Sequence, residues 1–423
     1  MDKLARYHKA VEFLSSLDNR PRKDYMTDRN DPAIYLERTK YFLKTAGVKT
    51  DGFKFIHITG TAGKGTVATM VANILWTAGK KAGVFTSPHV TTPIEEIAAD
   101  EKYIPPLEFA RIVEALKPHI AKCAEKGFEW HPSYFEVSLA VALIYFQKMR
   151  CEWVVLEVGA GGRYDATNFI RKPVITAITN IDYDHVQLLG KTLTKIAFGK
   201  AGIIKRGSIF WTSEKRPGLL KMFRLVCRMA GAKFNSLPRS KSADEANARL
   251  ASAIAQNAGI DEKYISEGIR TARLPARFEI VDRKPLTIID GAHNRIKMAD
   301  TARKVKELNY RKLNLVIGIA ANKNHNDILR LIVPFADRIF FTRIKGRQRE
   351  FADPKKLAVI AKKYMKRGTQ FRIIENPRAA MKTALGSAGK NDAVLATGSF
   401  FIAGEIRRVW FSKNWILKHR QSS

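Results

Sequence analysis

From Ile58 to Thr66 the chain reads ITGTAGKGT, after a β-branched run at Phe53–Thr59 and before a helical pattern. Gly60, Gly63 and Gly65 let backbone N–H groups converge on phosphate oxygens, and a helix start adds its dipole. Thr61 and Ala62 belong to the same nucleotide-contacting loop. Lys64 supplies a cation for the β/γ-phosphates, and Thr66 a hydroxyl ligand for Mg²⁺. The spacing departs from GxxxxGK[ST], because Gly65 separates Lys64 from Thr66 and no glycine stands six residues before the lysine. An ordinary glycine turn carries the same letters, so the strand–loop–helix context decides. Glu157 closes another apolar run, Trp153–Val158, where an acidic strand end can face the loop and hold Mg²⁺ or simply meet solvent. His185, after an acidic DYD run, reads on its own as a structural or surface histidine, and Lys200, fifteen residues later, as a surface cation.

Positioning these residues requires strands alternating with helices. Val67, Met70, Val71, Ile74 and Leu75 follow a helical stripe from about Thr66, with Gly79 as terminator. Strands are expected at Gly83–Thr86, Trp153–Val158 and Val174–Thr179, with helices at Tyr134–Met149, Thr192–Ile204 and Ala246–Ala258. Polar Ser236–Asp244 reads as a loop. From Leu286 the alternation restarts, with strands near Leu286–Ile289, Leu313–Ile319, Arg338–Thr342, Phe371–Ile374 and Ala393–Ala396. This pattern predicts an α/β protein with mainly parallel sheets and a second, smaller doubly wound domain. The boundary is placed at Leu274–Pro275, where a proline interrupts a helical stretch.

With 423 residues, 45% hydrophobic and 27% charged, the chain is globular rather than disordered. Its three cysteines, Cys123, Cys151 and Cys227, form no CxxC pair, which fits a reducing cytoplasm. No apolar stretch is long enough to span a bilayer, and the first twenty residues lack a secretory apolar core. The formal charge of +34 raises nucleic-acid binding as another class, but the basic residues are spread and lack RNP, zinc-finger or basic-zipper patterns.

GTAGKGT, FTSPH (Phe85–His89), SYFE (Ser133–Glu136), LEVGAGGRYDATN (Leu156–Asn168), DYDH (Asp182–His185), GKAGIIK (Gly199–Lys205), ARFE (Ala276–Glu279), DGAHN (Asp290–Asn294) and ATGSFF (Ala396–Phe401) follow in that order. Together they resemble the folylpolyglutamate synthase and dihydrofolate synthase branch of the Mur ligase family, from about residue 50 to 405. The resemblance implies a P-loop-containing, Mur-ligase-like central domain over residues 1–274, carrying ATP and the acceptor. A smaller Rossmann-like domain over 275–423 would close over ATP and bind glutamate. It implies ATP-dependent amide formation between a folate or dihydropteroate carboxylate and L-glutamate through an acyl phosphate. A free carboxylate needs such activation, because its oxygen is a poor leaving group.

The resemblance also assigns residues. Thr66, Ser87 and Glu157 serve one Mg²⁺, and His185 a second. Lys200 joins the metal site as N6-carboxylysine, which turns a cation into an anionic oxygen ligand. Asn247 lies on the adenine side, Arg277 on the phosphates, Asp290 near the ribose and His293 against the nucleotide. For Asp290, a helix N-cap is the structural reading. Lys64, His185 and Lys200 are the expected catalytic set. ATP, two Mg²⁺ ions, L-glutamate and a folate- or pteroate-type acceptor are the expected ligands of a cytoplasmic monomer with no specific nucleic acid and no membrane. Four positions depart from the family pattern. Glu95 stands where an arginine is usual, no NG turn follows it, Arg295 replaces a proline, and Ala62 an asparagine. These leave room for a Mur-like ligase joining a different carboxylate and amine.

Overall fold

The computed structural model describes residues 3–18, 33–183, 186–346 and 350–422. They fall into two compact units, one of residues 1–89 and 93–272, the other of residues 90–92 and 273–423. The sequence break at Leu274–Pro275 falls two residues later than this division, and the assignment of Val90–Thr92 to the second unit had no sequence signal. Val90 packs on helix Phe400–Arg407, where a Cβ on Gly404 would come within 2.0 Å of the Val90 carbonyl oxygen.

The first unit is built on eight strands: β1 (Lys54–Thr59), β2 (Ala82–Phe85), β3 (Ile97–Ala99), β4 (Lys102–Tyr103), β5 (Trp153–Glu157), β6 (Ile175–Ile178), β7 (Ile209–Thr212) and β8 (Lys233–Ser236). Their order is β4-β3-β2-β5-β1-β6-β7-β8. All neighbouring pairs from β2 to β8 are parallel. Helices cover the central strands, so β1, β2, β5 and β6 read as apolar runs rather than alternating ones. The β3–β4 pair is antiparallel and was not expected. Its turn places Asp100 and Glu101 at φ 53° and 59°, the left-handed region that tight hairpins need. The bend that the missing NG would have signalled is made here by two acidic residues.

The glycine loop leads into helix Lys64–Thr77, which starts two residues earlier than its apolar stripe suggested. Helix Glu262–Thr271 lies so close to it that a Cβ on Gly268 would sit 2.6 Å from the Ile74 Cα. The SYFE motif proves to be a structural joint. Ser133 and Glu136 form a capping box at the start of helix Tyr134–Lys148. The same buried Glu136 takes the Arg38 guanidinium fork at 2.9 and 2.7 Å and the Thr39 hydroxyl at 2.8 Å. The helix Ala33–Thr45 is thereby tied down.

The second unit carries six strands, β9 (Glu279–Arg283), β10 (Leu286–Ile289), β11 (Leu313–Ile317), β12 (Arg338–Phe341), β13 (Gln370–Ile373) and β14 (Ala393–Thr397), in the order β13-β12-β11-β14-β10-β9. Only β9 is antiparallel to its neighbour. The order reverses between β11 and β14, as in doubly wound folds. Apolar side chains such as Leu315, Ile317, Phe341 and Leu395 fill one side of the sheet, and Val316, Phe340, Val394 and Ile402 the other.

Candidate functional site

The phosphate loop leaves the carboxyl end of β1 and is shaped by close backbone approach. Gly60 has φ 148°, and a Cβ there would meet Thr179 Oγ1 at 1.8 Å, so only glycine fits. Gly63 caps the following helix in the left-handed region (φ 84°). Asn247 lies directly over it, with Oδ1 2.4 Å from where a Cβ would be. The Thr61 amide donates to the Asn180 carbonyl and the Ala62 amide to Asn180 Oδ1, both at 2.9 Å. Val67 N–H makes the first intrahelical bond, to Gly63 O. The amides of Lys64, Gly65 and Thr66 therefore stand ahead of the helix ladder, where an anion is favoured. Lys64 Nζ donates to the Gly60 carbonyl at 3.1 Å, and Lys200 Nζ donates to the same oxygen at 3.0 Å. Two ammonium groups thus converge on the loop, the Lys200 side chain fully buried.

Glu157 sits at the end of β5, in register with Ile58 on the neighbouring β1. It is only 3% exposed, and its Oε2 accepts the Ser87 amide at 3.0 Å. A buried carboxylate beside a hydroxyl-bearing loop suits a hard divalent cation, so Glu157, Thr66 and Ser87 are a donor set that fits one. Lys200 as an ammonium does not, since it is a donor only. His185 lies outside the described residues. Among the described residues no group of three or more His, Cys, Asp or Glu side chains clusters as a metal site. The expected first-metal ligands are mostly hydroxyls plus one carboxylate, so such a cluster would not include them.

A buried relay behind the loop was missed by sequence reasoning. Asp165 of GGRYDATN accepts the Ala160 amide at 2.9 Å, the Thr167 amide at 3.0 Å and the Thr167 hydroxyl at 2.6 Å. That hydroxyl, having donated its proton, accepts from His57 Nε2 at 2.8 Å. His57 therefore carries a proton on Nε2. Burial, reinforced by the positive charge of Lys205, lowers its pKa to about 3. Burial pushes the Asp165 pKa upward against its hydrogen bonds. A histidine inside an apolar strand reads as core, which is why His57 gave no signal.

In the second unit, Asp290 follows β10 and gathers the surrounding turns. Its Oδ2 accepts the Phe278 amide at 2.9 Å, and its Oδ1 accepts the Ala292 amide at 3.0 Å and the Thr301 hydroxyl at 2.7 Å. Asp290 is not the helix cap that its sequence position allowed. Asn294 caps helix Arg295–Glu307 through the Lys297 amide. Burial raises the Asp290 pKa against those hydrogen bonds. His293 Nδ1 is 2.9 Å from the Gly291 carbonyl, and Arg277 lies over the Phe400 ring at 5.3 Å. Arg277 is flanked by Ala276 and Phe278, both at positive φ. That unusual backbone is held by Glu279, which accepts the Ala276 amide and the fork of the fully buried Arg407.

A parallel sheet with a glycine phosphate loop at its carboxyl edge, followed by a second doubly wound unit, places the chain among phosphate-loop α/β proteins. Residues 58–209 match the Mur ligase middle domain, and residues 276–400 match the Mur ligase glutamate ligase domain. The chain belongs to the Mur ligase family, in its folylpolyglutamate synthase and dihydrofolate synthase branch. It is similar to the crystal structure of a folylpolyglutamate synthase from Thermotoga maritima, with 31% identity, TM-score 0.81, and 95% of this chain and 97% of that one covered. A bifunctional folylpolyglutamate synthase/dihydrofolate synthase with Mn, AMPPNP and L-glutamate bound is also similar, at 25% identity and TM-score 0.75, with 88% and 93% covered. A probable bifunctional folylpolyglutamate synthase/dihydropteroate synthase of Halobacterium salinarum is 29% identical over 96% of this chain. The chain spans about half (52%) of that relative's length. Among the described residues no helix is long and apolar enough to cross a membrane.

Proposed function

We propose that this chain is an ATP-dependent ligase that adds L-glutamate to the carboxylate of a folate- or pteroate-type acceptor through an acyl phosphate. The observation that carries this reading is the phosphate loop with buried Glu157 on the adjacent strand end, within a chain of this family. An acceptor carboxylate oxygen attacks the γ-phosphorus of ATP, the bond to the β–γ bridging oxygen breaks, and ADP leaves. The amine of glutamate, having lost its ammonium proton, attacks the acyl carbon, and inorganic phosphate departs with the C–O electron pair. The amides of Lys64, Gly65 and Thr66 and the Lys64 ammonium would take up phosphoryl charge without reorganising. Glu157, Thr66 and Ser87 would hold one Mg²⁺ and His185 would serve a second. The bound metals would neutralise charge on the transferring phosphoryl oxygens.

Asn247 on the adenine side, and Arg277, Asp290 and His293 as nucleotide residues of the second unit, belong to the same proposal. So does the division of labour between residues 1–274, with ATP phosphates and acceptor, and 275–423, with glutamate. Lys200 is proposed to be N6-carboxylysine. A fully buried ammonium is costly, and carbamylation would exchange it for a metal-binding anion. Equilibration with ¹³C-bicarbonate should give a carbamate carbon signal in the wild type that Lys200→Ala lacks.

The direct test supplies purified protein with ATP, Mg²⁺, L-glutamate and either dihydropteroate or tetrahydrofolate, and follows ADP and product mass. A glutamylated product is expected, and none with either acceptor would sink the folate assignment. One observation favours a different carboxylate: Glu95, in place of the family's usual arginine, is buried in the first unit. ADP release with an unrelated acid in an acceptor panel would support that second reading.

A further inference from the structure

The phosphate loop rests on a second segment, and that segment is gripped by a third that no motif includes. Beyond β6, residues 179–182 form the bed of the loop. Thr179 Oγ1 donates to the Ala62 carbonyl at 2.6 Å, and Asn180 receives the amides of Thr61 and Ala62. Thr61 Oγ1 accepts the Asp182 amide at 2.9 Å while donating to the Asp182 carbonyl at 3.1 Å.

This bed is held from the other side by residues 213–216, which follow β7. Ser213 Oγ donates to the Thr179 carbonyl. The Ile181 amide donates to Glu214 Oε2 at 3.0 Å, and the Arg216 guanidinium donates to the Ile181 carbonyl. Arg216 also grips both Glu214 oxygens, through Nε at 2.8 Å and Nη2 at 2.7 Å. The amides of Lys215 and Arg216 complete the shell at 2.9 and 3.0 Å. Burial alone would raise the pKa of Glu214, but the Arg216 fork and the three amides outweigh it and bring it down to about 2. The carboxylate is therefore ionised at any ordinary working pH. A buried ion pair of this kind is weak evidence for stability and better evidence for a fixed local geometry.

We propose that Glu214 and Arg216 are a positioning pair for the phosphate loop: by holding Ile181 through both its amide and its carbonyl, they fix Asp182 against Thr61 and set the loop shape that receives nucleotide phosphates. The inference rests on the nucleotide reading proposed above and adds two residues that touch neither substrate nor metal.

Calorimetric titration of ADP with Mg²⁺ tests it, each protein being held well below its own melting temperature. Glu214→Gln keeps the side-chain volume but removes the charge. Thr61→Val keeps the β-branched shape but removes the hydroxyl. Each should weaken ADP binding about tenfold, the loss of one strong hydrogen-bonded contact. Because both act through Asp182, the double variant should bind no more weakly than the worse single one. Should Glu214→Gln fail to fold, Arg216→Lys, at a partly exposed side chain, breaks the same fork and gives the same reading. A lower melting temperature with unchanged ADP affinity would make the pair merely structural and overturn the proposal, as would losses that multiply in the double variant. A wild type that binds no ADP would instead defeat the nucleotide reading and this inference with it.

Discussion

Lys64 and Lys200 both point at the carbonyl of Gly60, yet the chemistry asks different things of them. In the proposed reaction Lys64 would act as a cation beside the phosphoryl group, whereas Lys200 would join the metal site only once its positive charge had been masked. Lys64→Ala should lower the rate of ADP release at least a hundredfold, the scale of losing a preorganised charge-stabilising donor. Its thermal unfolding should stay near that of the wild type, since among the described residues the Lys64 side chain makes a single hydrogen bond, to the Gly60 carbonyl at 3.1 Å. Retained activity would remove the loop from the reaction. At this scale the sequence was informative where a residue sits in a motif. Gly60, Gly63 and Glu157 occupy the places their neighbours implied, and Asn247 lies on the loop despite weakly matching flanks. It was silent about His57 and Glu214, whose roles come from partners more than thirty residues away. Asp290 was legible as important but not as what it is, a hub for three turn and helix donors rather than a cap.

Between elements, the helix that begins at the phosphate loop must be held at a fixed height above the sheet for its first amides to face a phosphate. Helix Glu262–Thr271 does this from outside, approaching at Gly268 and accepting the Asn73 side-chain amide on the Gly268 carbonyl at 2.7 Å. A methyl at position 268 would meet the Ile74 backbone, which cannot rotate away. Gly268→Ala should therefore cost about 1–3 kcal/mol, the usual penalty of overpacking. Differential scanning calorimetry should show unfolding at a lower temperature than in the wild type, and an unmoved thermogram would contradict the close packing. Most central strands were legible because both faces are buried, giving continuous apolar runs. The β3–β4 hairpin was not, since Asp100 and Glu101 replace the glycine and asparagine that usually mark positive φ. The strands β7 and β8 are short and only partly buried, so their apolar signal was too weak to separate from the surrounding loops.

On the scale of the whole molecule, +34 says little about fold, and the alternation of strands and helices says much. The second unit was legible as a smaller doubly wound sheet because its strands recur with helices between them. The inclusion of Val90–Thr92 in it depends on a backbone contact with Gly404 and leaves no trace in composition. Stability of the first unit should nonetheless carry a pH signature traceable to one residue. His57 is neutral in the folded state with a pKa near 3, whereas the unfolded chain takes a proton at 6.5. Below pH 6.5 the unfolded state therefore binds one proton more than the folded state, and stability falls as pH falls, until the folded pKa is reached. Between pH 7 and pH 5 this linkage amounts to about 2 kcal/mol lost. The variant His57→Gln retains an N–H for the Thr167 hydroxyl but cannot titrate. Urea unfolding of both proteins across that range should give a steeper fall for the wild type, the slopes differing by close to one proton. Parallel profiles would mean that the imidazole titrates in the folded chain as it does in the unfolded one, so that burial does not hold it neutral across this range.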